Sequence, residues 1–204
     1  MKLITEFVGT FLFLLCISLS GGNPLVIGGA LMCMVYMGGH VSGGHYNPAV
    51  SLAVMLRGKM DSKDMLSYWA TQILAGIVAF FVGWWLSGAA VGIAPVAEMP
   101  KALVVEILFT FMLALTVLNV ATAKGTAGNS FYGLAIGFVI IVAASSGGAL
   151  SGGAFNPAVG IGATVIGALK GGGGWGNLWI YLVGPLVGGA LAALVFKAMA
   201  PDDV

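Results

Sequence analysis

The sequence predicts an all-α membrane protein with six transmembrane helices and two re-entrant half-helices in an inverted repeat. Three observations lead to this fold class: a strongly apolar composition, six apolar segments of membrane-spanning length, and a motif that occurs once in each half of the chain. Of the 204 residues, 59% are hydrophobic and 7% are charged, whereas a soluble domain is typically about 25% charged. This composition excludes a soluble enzyme, and the formal net charge of +1 gives no field that would attract a nucleic acid.

Six segments reach the length of about 20 apolar residues that a transmembrane helix needs. Glu6 lies inside the first of them, and this charge argues against a cleaved signal peptide. The six segments are residues 3–20, 25–40, 65–87, 101–121, 130–147 and 177–198. Two shorter apolar segments, residues 47–56 and 156–169, both begin with Asn-Pro and have the length of re-entrant half-helices.

The basic residues predict the orientation, because cytoplasmic loops of membrane proteins carry an excess of Lys and Arg. If the N-terminus lies in the cytoplasm, six basic residues fall on the cytoplasmic side and only Lys101 and Lys170 fall on the other. The six are Lys2, Arg57, Lys59, Lys63, Lys124 and Lys197. We therefore expect a multi-pass integral protein of the cell or plasma membrane with both termini in the cytoplasm.

The strongest signal is an internal repeat. Residues 38–50 and 147–159 are identical at nine of thirteen positions, and both contain Ser-Gly-Gly, an aromatic residue and Asn-Pro-Ala-Val in this order. Each half of the chain holds three full spans, an odd number, so the second half must be inverted relative to the first. We expect a single channel domain over residues 1–204, with repeats at residues 1–87 and 101–200.

The Asn-Pro pairs predict helix starts, since Asn is a favoured N-cap and Pro at the first helical position loses no hydrogen bond. The glycine-rich run before each pair cannot be helical throughout. Inside a bilayer, such backbone is tolerated only where it lines a cavity or is buried in protein. Two half-helices that enter from opposite sides would meet near the centre, each with about half a positive charge at its N-terminus. A pore through that point would repel cations.

On these residues the chain resembles the aquaporin (major intrinsic protein) family, in the form of a short microbial member. The resemblance covers nearly the whole chain and rests on the two boxes, Asn47-Pro48-Ala49 and Asn156-Pro157-Ala158. It implies a passive channel for water and for other small uncharged solutes, such as glycerol, urea or ammonia, that excludes ions and protons. It also implies a homotetramer in the lipid bilayer, with no enzymatic activity, no cofactor and no metal.

The resemblance assigns roles to the residues of the boxes. The amides of Asn47 and Asn156 would donate hydrogen bonds to the permeant at the pore centre. A water molecule that accepts two such bonds uses both lone pairs and cannot take a proton from its neighbour. Backbone carbonyls before the boxes would form a line of acceptors along one wall. These carbonyls belong to Gly43, Gly44, His45, Gly152, Gly153 and Ala154, and His45 is also expected to support the loop.

Two carboxylates recur at equivalent places, Glu6 and Glu106, each followed by Thr four residues later. Charged residues inside membrane helices are costly and usually functional. The resemblance implies a structural role, in which each Glu accepts hydrogen bonds from the irregular loop beside the half-helix of its own repeat. A proton relay remains the alternative interpretation.

The predicted outer constriction departs from the family pattern. By motif spacing its four positions are Ile27, Ala144, Gly153 and Val159, and the family usually has Arg at the last of these. Water-selective members typically add an aromatic residue and His, and glycerol-facilitating members keep the Arg and add aromatics. This chain has neither set, so we expect a wide, apolar constriction that passes at least one solute larger than water. Otherwise the loop at residues 88–100 would have to close it.

Two other classes of protein remain open at this point. A secondary transporter can also be built from inverted repeats, although transporters usually carry ion-coupling charges at the midplane, where this chain offers only the two Glu residues. A non-conducting membrane scaffold of the same fold is the other alternative. A flux measurement separates the three, because a channel does not saturate, a transporter saturates and a scaffold gives no flux.

Overall fold

The computed structural model describes residues 1–94, 97–170 and 175–203. Within these residues the chain forms eight α-helices, and six of the eight are long enough and apolar enough to cross a membrane. The six are α1 (Lys2–Leu19), α2 (Pro24–Ser42), α4 (Ser62–Ser87), α5 (Met99–Thr122), α6 (Tyr132–Ser151) and α8 (Leu178–Met199). The other two are the half-helices α3 (Pro48–Leu56) and α7 (Pro157–Leu169). The predicted fold class is confirmed.

Helices α2 and α6 end later than the sequence predicted. They run to Ser42 and Ser151, two and four residues beyond the expected ends. The prediction was wrong here because glycine pairs inside the duplicated motif suggested a break, whereas closely packed membrane helices accommodate glycine well. Each helix stops instead at a glycine in the left-handed region, Gly43 with φ 91° or Gly152 with φ 94°, a conformation that glycine adopts without strain.

The two halves of the chain pack into each other through the half-helices. Helix α1 packs against α2 and α4, and α5 packs in the same way against α6 and α8. Helices α2 and α6 pair across the two halves. The half-helix α3 also packs against α8 of the second half, while α7 packs against α4 of the first half. Each contact therefore has a counterpart, as expected of an inverted repeat.

Each half-helix begins against a glycine of a long helix. A Cβ atom on Gly189 in α8 would lie 2.5 Å from the carbonyl oxygen of Ala49, and a Cβ atom on Gly76 in α4 would lie 2.8 Å from the carbonyl oxygen of Ala158. Both separations are too short for any side chain. Small residues let membrane helices approach closely, and these two glycines let the box alanines reach the long helices.

We expect Gly189→Ala to lower the stability of the folded protein by about 1–3 kcal/mol, because the new methyl group would collide with the backbone of α3. The matched control is Gly29→Ala in α2, where an added Cβ meets no atom within 4 Å and Ala improves helix propensity. Thermal unfolding in detergent measures the difference. Equal melting temperatures for the two variants would contradict the close contact.

A buried ion pair closes the end of the bundle at which α1 begins, here called the inner end. Arg57 follows α3, and its Nη2 donates to Asp203 Oδ1 at 3.0 Å while its guanidinium lies 4.6 Å from the centre of the Phe196 ring. The same carboxylate accepts from the backbone N–H of Lys124 at 2.7 Å. The basic residues predict that Arg57 and Lys124 lie on the same side of the membrane as Lys2, and all three lie at this end of the bundle.

Candidate functional site

The two half-helices meet N-terminus to N-terminus through their asparagines. The Nδ2 of Asn47 donates to the carbonyl of Phe155 at 2.9 Å, and the Nδ2 of Asn156 donates to the carbonyl of Tyr46 at 2.9 Å. Each side chain thus bridges from its own half-helix to the loop of the opposite half. A carboxamide nitrogen carries two N–H groups, so the second N–H of each Asn is not used in this hydrogen bond and can donate to another acceptor.

The same asparagines cap their own helices. The Oδ1 of Asn47 accepts from the N–H of Ala49, and the Oδ1 of Asn156 accepts from the N–H of Ala158, both at 2.9 Å. Proline occupies the first helical position in both cases, where its missing N–H costs nothing. Capping and bridging together fix the orientation of each amide.

The residues just before the asparagines adopt an unusual backbone conformation. Tyr46 and Phe155 both have φ 49°, in the left-handed region, which costs a non-glycine residue roughly 1–3 kcal/mol. Each carbonyl accepts the amide of the opposite Asn, and each N–H donates to a buried carboxylate. These hydrogen bonds hold the strained conformation in place.

Glu6 binds the loop of the first half with both carboxylate oxygens. Its Oε1 accepts from the hydroxyl of Ser42 at 2.7 Å and from the N–H of His45 at 3.0 Å. Its Oε2 accepts from the N–H of Tyr46 and from the side-chain amide of Gln72, both at 2.8 Å. Glu6 is fully buried. Its four donors lie on α2, on the loop before α3 and on α4.

Glu106 repeats this arrangement in the second half. Its Oε1 accepts from the hydroxyl of Ser151 at 2.7 Å and from the N–H of Ala154 at 3.0 Å, and its Oε2 accepts from the N–H of Phe155 at 2.7 Å. Glu106 is also fully buried. Both carboxylates therefore make the loop contacts that the resemblance implies.

The polar network around the first loop has no equivalent around the second. The Nδ1 of His45 lies 3.0 Å from the hydroxyl of Ser51, which also accepts from Gln72 at 3.1 Å. The positions related to these three residues by the repeat are Ala154, Gly160 and Pro185, and none of these side chains can form such hydrogen bonds. His45 therefore has a side-chain contact with its own half-helix that the second half lacks.

A central cavity of about 40 Å³ lies beside the asparagine pair. A water molecule needs at least about 10–15 Å³ of space, so the cavity is large enough to admit water. Its polar side chains are those of His45, Asn47 and Asn156, and apolar side chains such as Ile27 and Leu31 form most of the remaining wall. A permeant in this cavity therefore meets few hydrogen-bonding side chains.

The predicted constriction residues do not all reach this cavity. Ile27, Ala144 and Gly153 line it. Val159 is 1% exposed and is not among the residues that line the cavity. Among the residues expected to present carbonyls, Gly44, His45, Gly153 and Ala154 line the central cavity, Gly43 lines the space at the inner end, and Gly152 lines neither.

The space at the inner end is an open vestibule of about 630 Å³. His45, Val117 and Ile136 line both this inner vestibule and the central cavity, so the two spaces meet beside these residues. Lys2, Lys59 and Lys124 lie on the vestibule walls together with the acidic side chain of Asp64. The vestibule therefore carries more positive than negative side chains.

Several residues that build this site were not found by sequence reasoning. Two of them, Gly76 and Gly189, contact the alanines of the Asn-Pro-Ala boxes. The sequence does contain a signal for this pair, because each glycine follows a tyrosine by eight residues in its own half. Those tyrosines are equivalent too: Tyr68 donates to the carbonyl of Ser42 at 2.8 Å and Tyr181 to the carbonyl of Ser151 at 2.7 Å. The link between Arg57 and Asp203 has no such signal, because 146 residues separate the partners.

The chain is similar to known membrane channel proteins along nearly its whole length. Residues 1–196 match the family model of the major intrinsic protein. The chain is 34% identical over 220 residues to aquaporin-8 of Mus musculus, covering 98% of this chain and 82% of that protein. It is also 34% identical over 225 residues to the glycerol uptake facilitator protein-like 6 of Lactiplantibacillus plantarum, covering 99% of each.

The fold is similar to that of the aquaglyceroporin from Plasmodium falciparum, with a TM-score of 0.87, 22% sequence identity, and coverage of 98% of this chain and 96% of that one. At this identity the likeness establishes the architecture alone. The family model and the relatives above 30% identity establish more. Together with the two helix-capping Asn-Pro-Ala boxes, they show that the chain belongs to the major intrinsic protein family.

Proposed function

We propose that this protein is a passive transmembrane channel for water and small uncharged solutes. The observation that carries the proposal is the position of Asn47 and Asn156. Each amide is held by the opposite half at 2.9 Å, and each lines the same central cavity. The family consists of channels rather than enzymes, and the six apolar helices make this an integral, multi-pass membrane protein.

The permeant would enter from the inner vestibule, pass His45 and reach the asparagine pair in single file. There the remaining N–H group of each Asn donates to the permeant, and the carbonyls of the two loops accept from it. Two helix N-termini, each equivalent to about half a positive charge, face this point. Cations are repelled, and a water molecule whose lone pairs are both occupied cannot pass a proton along the file.

Glu6 and Glu106 hold the two loops in this mechanism and do not carry protons. Support for this role comes from their partners: backbone N–H groups and a serine hydroxyl occupy the same places on both carboxylates. A relay would need a proton acceptor free to exchange with the pore. Neither carboxylate lines the central cavity, and both are fully buried.

The permeants include at least one solute larger than water. Support comes from the constriction positions that line the central cavity, Ile27, Ala144 and Gly153, which are small or apolar and offer no charged group. The relatives point the same way, since one is named an aquaporin and another a glycerol uptake facilitator-like protein.

The proposal extends to the assembly. The chain forms a single channel domain, with repeats at residues 1–87 and 101–200, and four copies assemble with one pore each. Both termini face the cytoplasm, because most basic residues then follow the positive-inside rule. Clustering of Lys2, Lys59 and Lys124 around the inner vestibule supports this orientation.

Reconstitution into liposomes tests the function. Shrinkage or swelling is followed by stopped-flow light scattering with water, glycerol, urea and ammonia, over a range of solute concentrations. A channel gives rates proportional to the gradient for water and for at least one solute. A rate that saturates with concentration would favour a secondary transporter, and a rate equal to that of empty liposomes, with folded protein present, would favour a scaffold.

A further inference from the structure

We propose that Val117 and Ile136 are further specificity-determining residues of the pore. Together with His45 they form its narrow part at the inner end of the central cavity, here called the inner neck. This inference rests on the proposed channel function and adds two residues that lie outside the duplicated motif.

The inner neck lies where the permeation path changes width. Val117 of α5, Ile136 of α6 and His45 before α3 line both the inner vestibule and the central cavity. The vestibule measures about 630 Å³ and the central cavity about 40 Å³, so the path narrows as it passes these three side chains. Val117 is 6% exposed and Ile136 is 4% exposed, because neighbouring atoms leave little free space beside them.

The inverted repeat gives both aliphatic residues a counterpart in the first half of the chain. Ile136 and Ile27 each lie 20 residues before the asparagine of their own box, and Val117 and Ile17 each lie 11 residues after the buried glutamate of their own half. Ile27 and Ile17 line the central cavity but not the inner vestibule. The aliphatic part of the pore wall is therefore similar at the two ends of the central cavity.

The third residue makes the inner end the narrower one. His45 occupies the position that Ala154 occupies in the second half, two residues before the asparagine, and an imidazole is far larger than a methyl group. The ring is fixed, because its Nδ1 lies 3.0 Å from the hydroxyl of Ser51 and its centre lies 5.2 Å from that of the Tyr68 ring. A fixed ring beside two branched aliphatic side chains leaves less room than Ala154 leaves in the other half. Selection by size therefore occurs at the inner neck.

The chemistry of the inner neck also favours water over larger solutes. His45 supplies its one polar side chain, and the side chains of Val117 and Ile136 offer no hydrogen bond. A solute with several polar groups, such as glycerol or urea, must shed hydration water there with little replacement, which is costly. Val117 and Ile136 are therefore expected to restrict glycerol and urea more strongly than water.

The test compares the two neck variants Ile136→Ala and Val117→Ala with Ile27→Ala, the same change at the repeat counterpart, in the same liposomes. The readout is the ratio of glycerol or urea permeability to water permeability, which does not depend on how much protein is reconstituted. We expect each neck variant to raise this ratio by about tenfold, the lower end of the effect of one methylene in an apolar pocket. Ile27→Ala should raise it clearly less. The control Val104→Ala, on a face of α5 that is 50% exposed, should leave it close to wild type.

Two results would overturn the inference. One is a ratio unchanged in both neck variants, and the other is a ratio that rises as much in Ile27→Ala as in Ile136→Ala. If the alanine variants do not fold, Ile136→Val and Val117→Thr carry the same test. The first enlarges the neck slightly and the second adds a hydroxyl at equal volume, so both should raise the ratio, and no change in either would count against the inference. Water flux through the wild type reports on the proposed function separately.

Discussion

Replacing Glu6 with Gln is expected to lower the stability of the folded protein by about 2–5 kcal/mol. The new amide nitrogen would face one of two donor pairs, either Ser42 with His45 or Tyr46 with Gln72, all within 3.0 Å of a carboxylate oxygen at present. Buried donors left without an acceptor cost about 1–3 kcal/mol each, and hydrogen bonds to an ionised acceptor are stronger than neutral ones. Glu106→Gln should have a similar effect in the second half.

The matched control is Glu98→Gln, whose side chain is 74% exposed and lies 3.4 Å from Lys101. Exposed pairs of this kind contribute about 0–1 kcal/mol. Thermal unfolding in detergent measures stability, and the solute-to-water permeability ratio should stay near that of the wild type in the variants that fold. Normal stability of Glu6→Gln, combined with a changed pH dependence of the flux, would instead favour the proton relay.

The second large effect is expected for Asn47→Asp, which should reduce water flux by about tenfold or open a cation leak. The variant loses the donor to Phe155 at 2.9 Å and the N–H that faces the permeant. Loss of one such hydrogen bond is worth about 1–1.5 kcal/mol, and each 1.4 kcal/mol is a factor of about ten in rate. The carboxylate also places a negative charge between two positive helix ends, which removes their barrier to cations.

Asn23→Asp is the control for this substitution. Asn23 caps α2 by accepting from the N–H groups of Leu25 and Val26 at 3.0 and 3.4 Å, it is exposed, and Asp is an equally good cap. Water flux and ion leak are read in the same liposomes by stopped-flow scattering and a potential-sensitive dye. A central role for Asn47 is refuted if both readouts match the control, and Asn156→Asp repeats the test in the other half.

The fold was predictable because its main determinants are visible along the chain. Membrane-spanning length and apolar composition define the six long helices, and the repeated Asn-Pro marks the two short ones. The ends of α2 and α6 were not predictable in the same way, because a glycine pair is compatible with both a helix and a break. Only the packing of neighbouring helices decides between them.

The candidate site was predictable where the motif repeats, at Asn47, Asn156 and the two carboxylates. The hydrogen-bond partners of the asparagines were not predictable, since each amide binds a carbonyl more than 100 residues away. The burial of Val159 was also not predictable, because motif spacing gives the position of a residue along α7 but not the depth of the cavity beside it.

A water flux measurement at several temperatures, with proton uptake followed in the same liposomes, tests whether a passive pore runs through the junction of the two half-helices. The wild type should shrink far faster than empty liposomes under an osmotic gradient, with the weak temperature dependence of diffusion in bulk water and with no proton flux above background. Flux that equals that of empty liposomes, or that rises steeply with temperature and saturates, would contradict a continuous pore between Asn47 and Asn156.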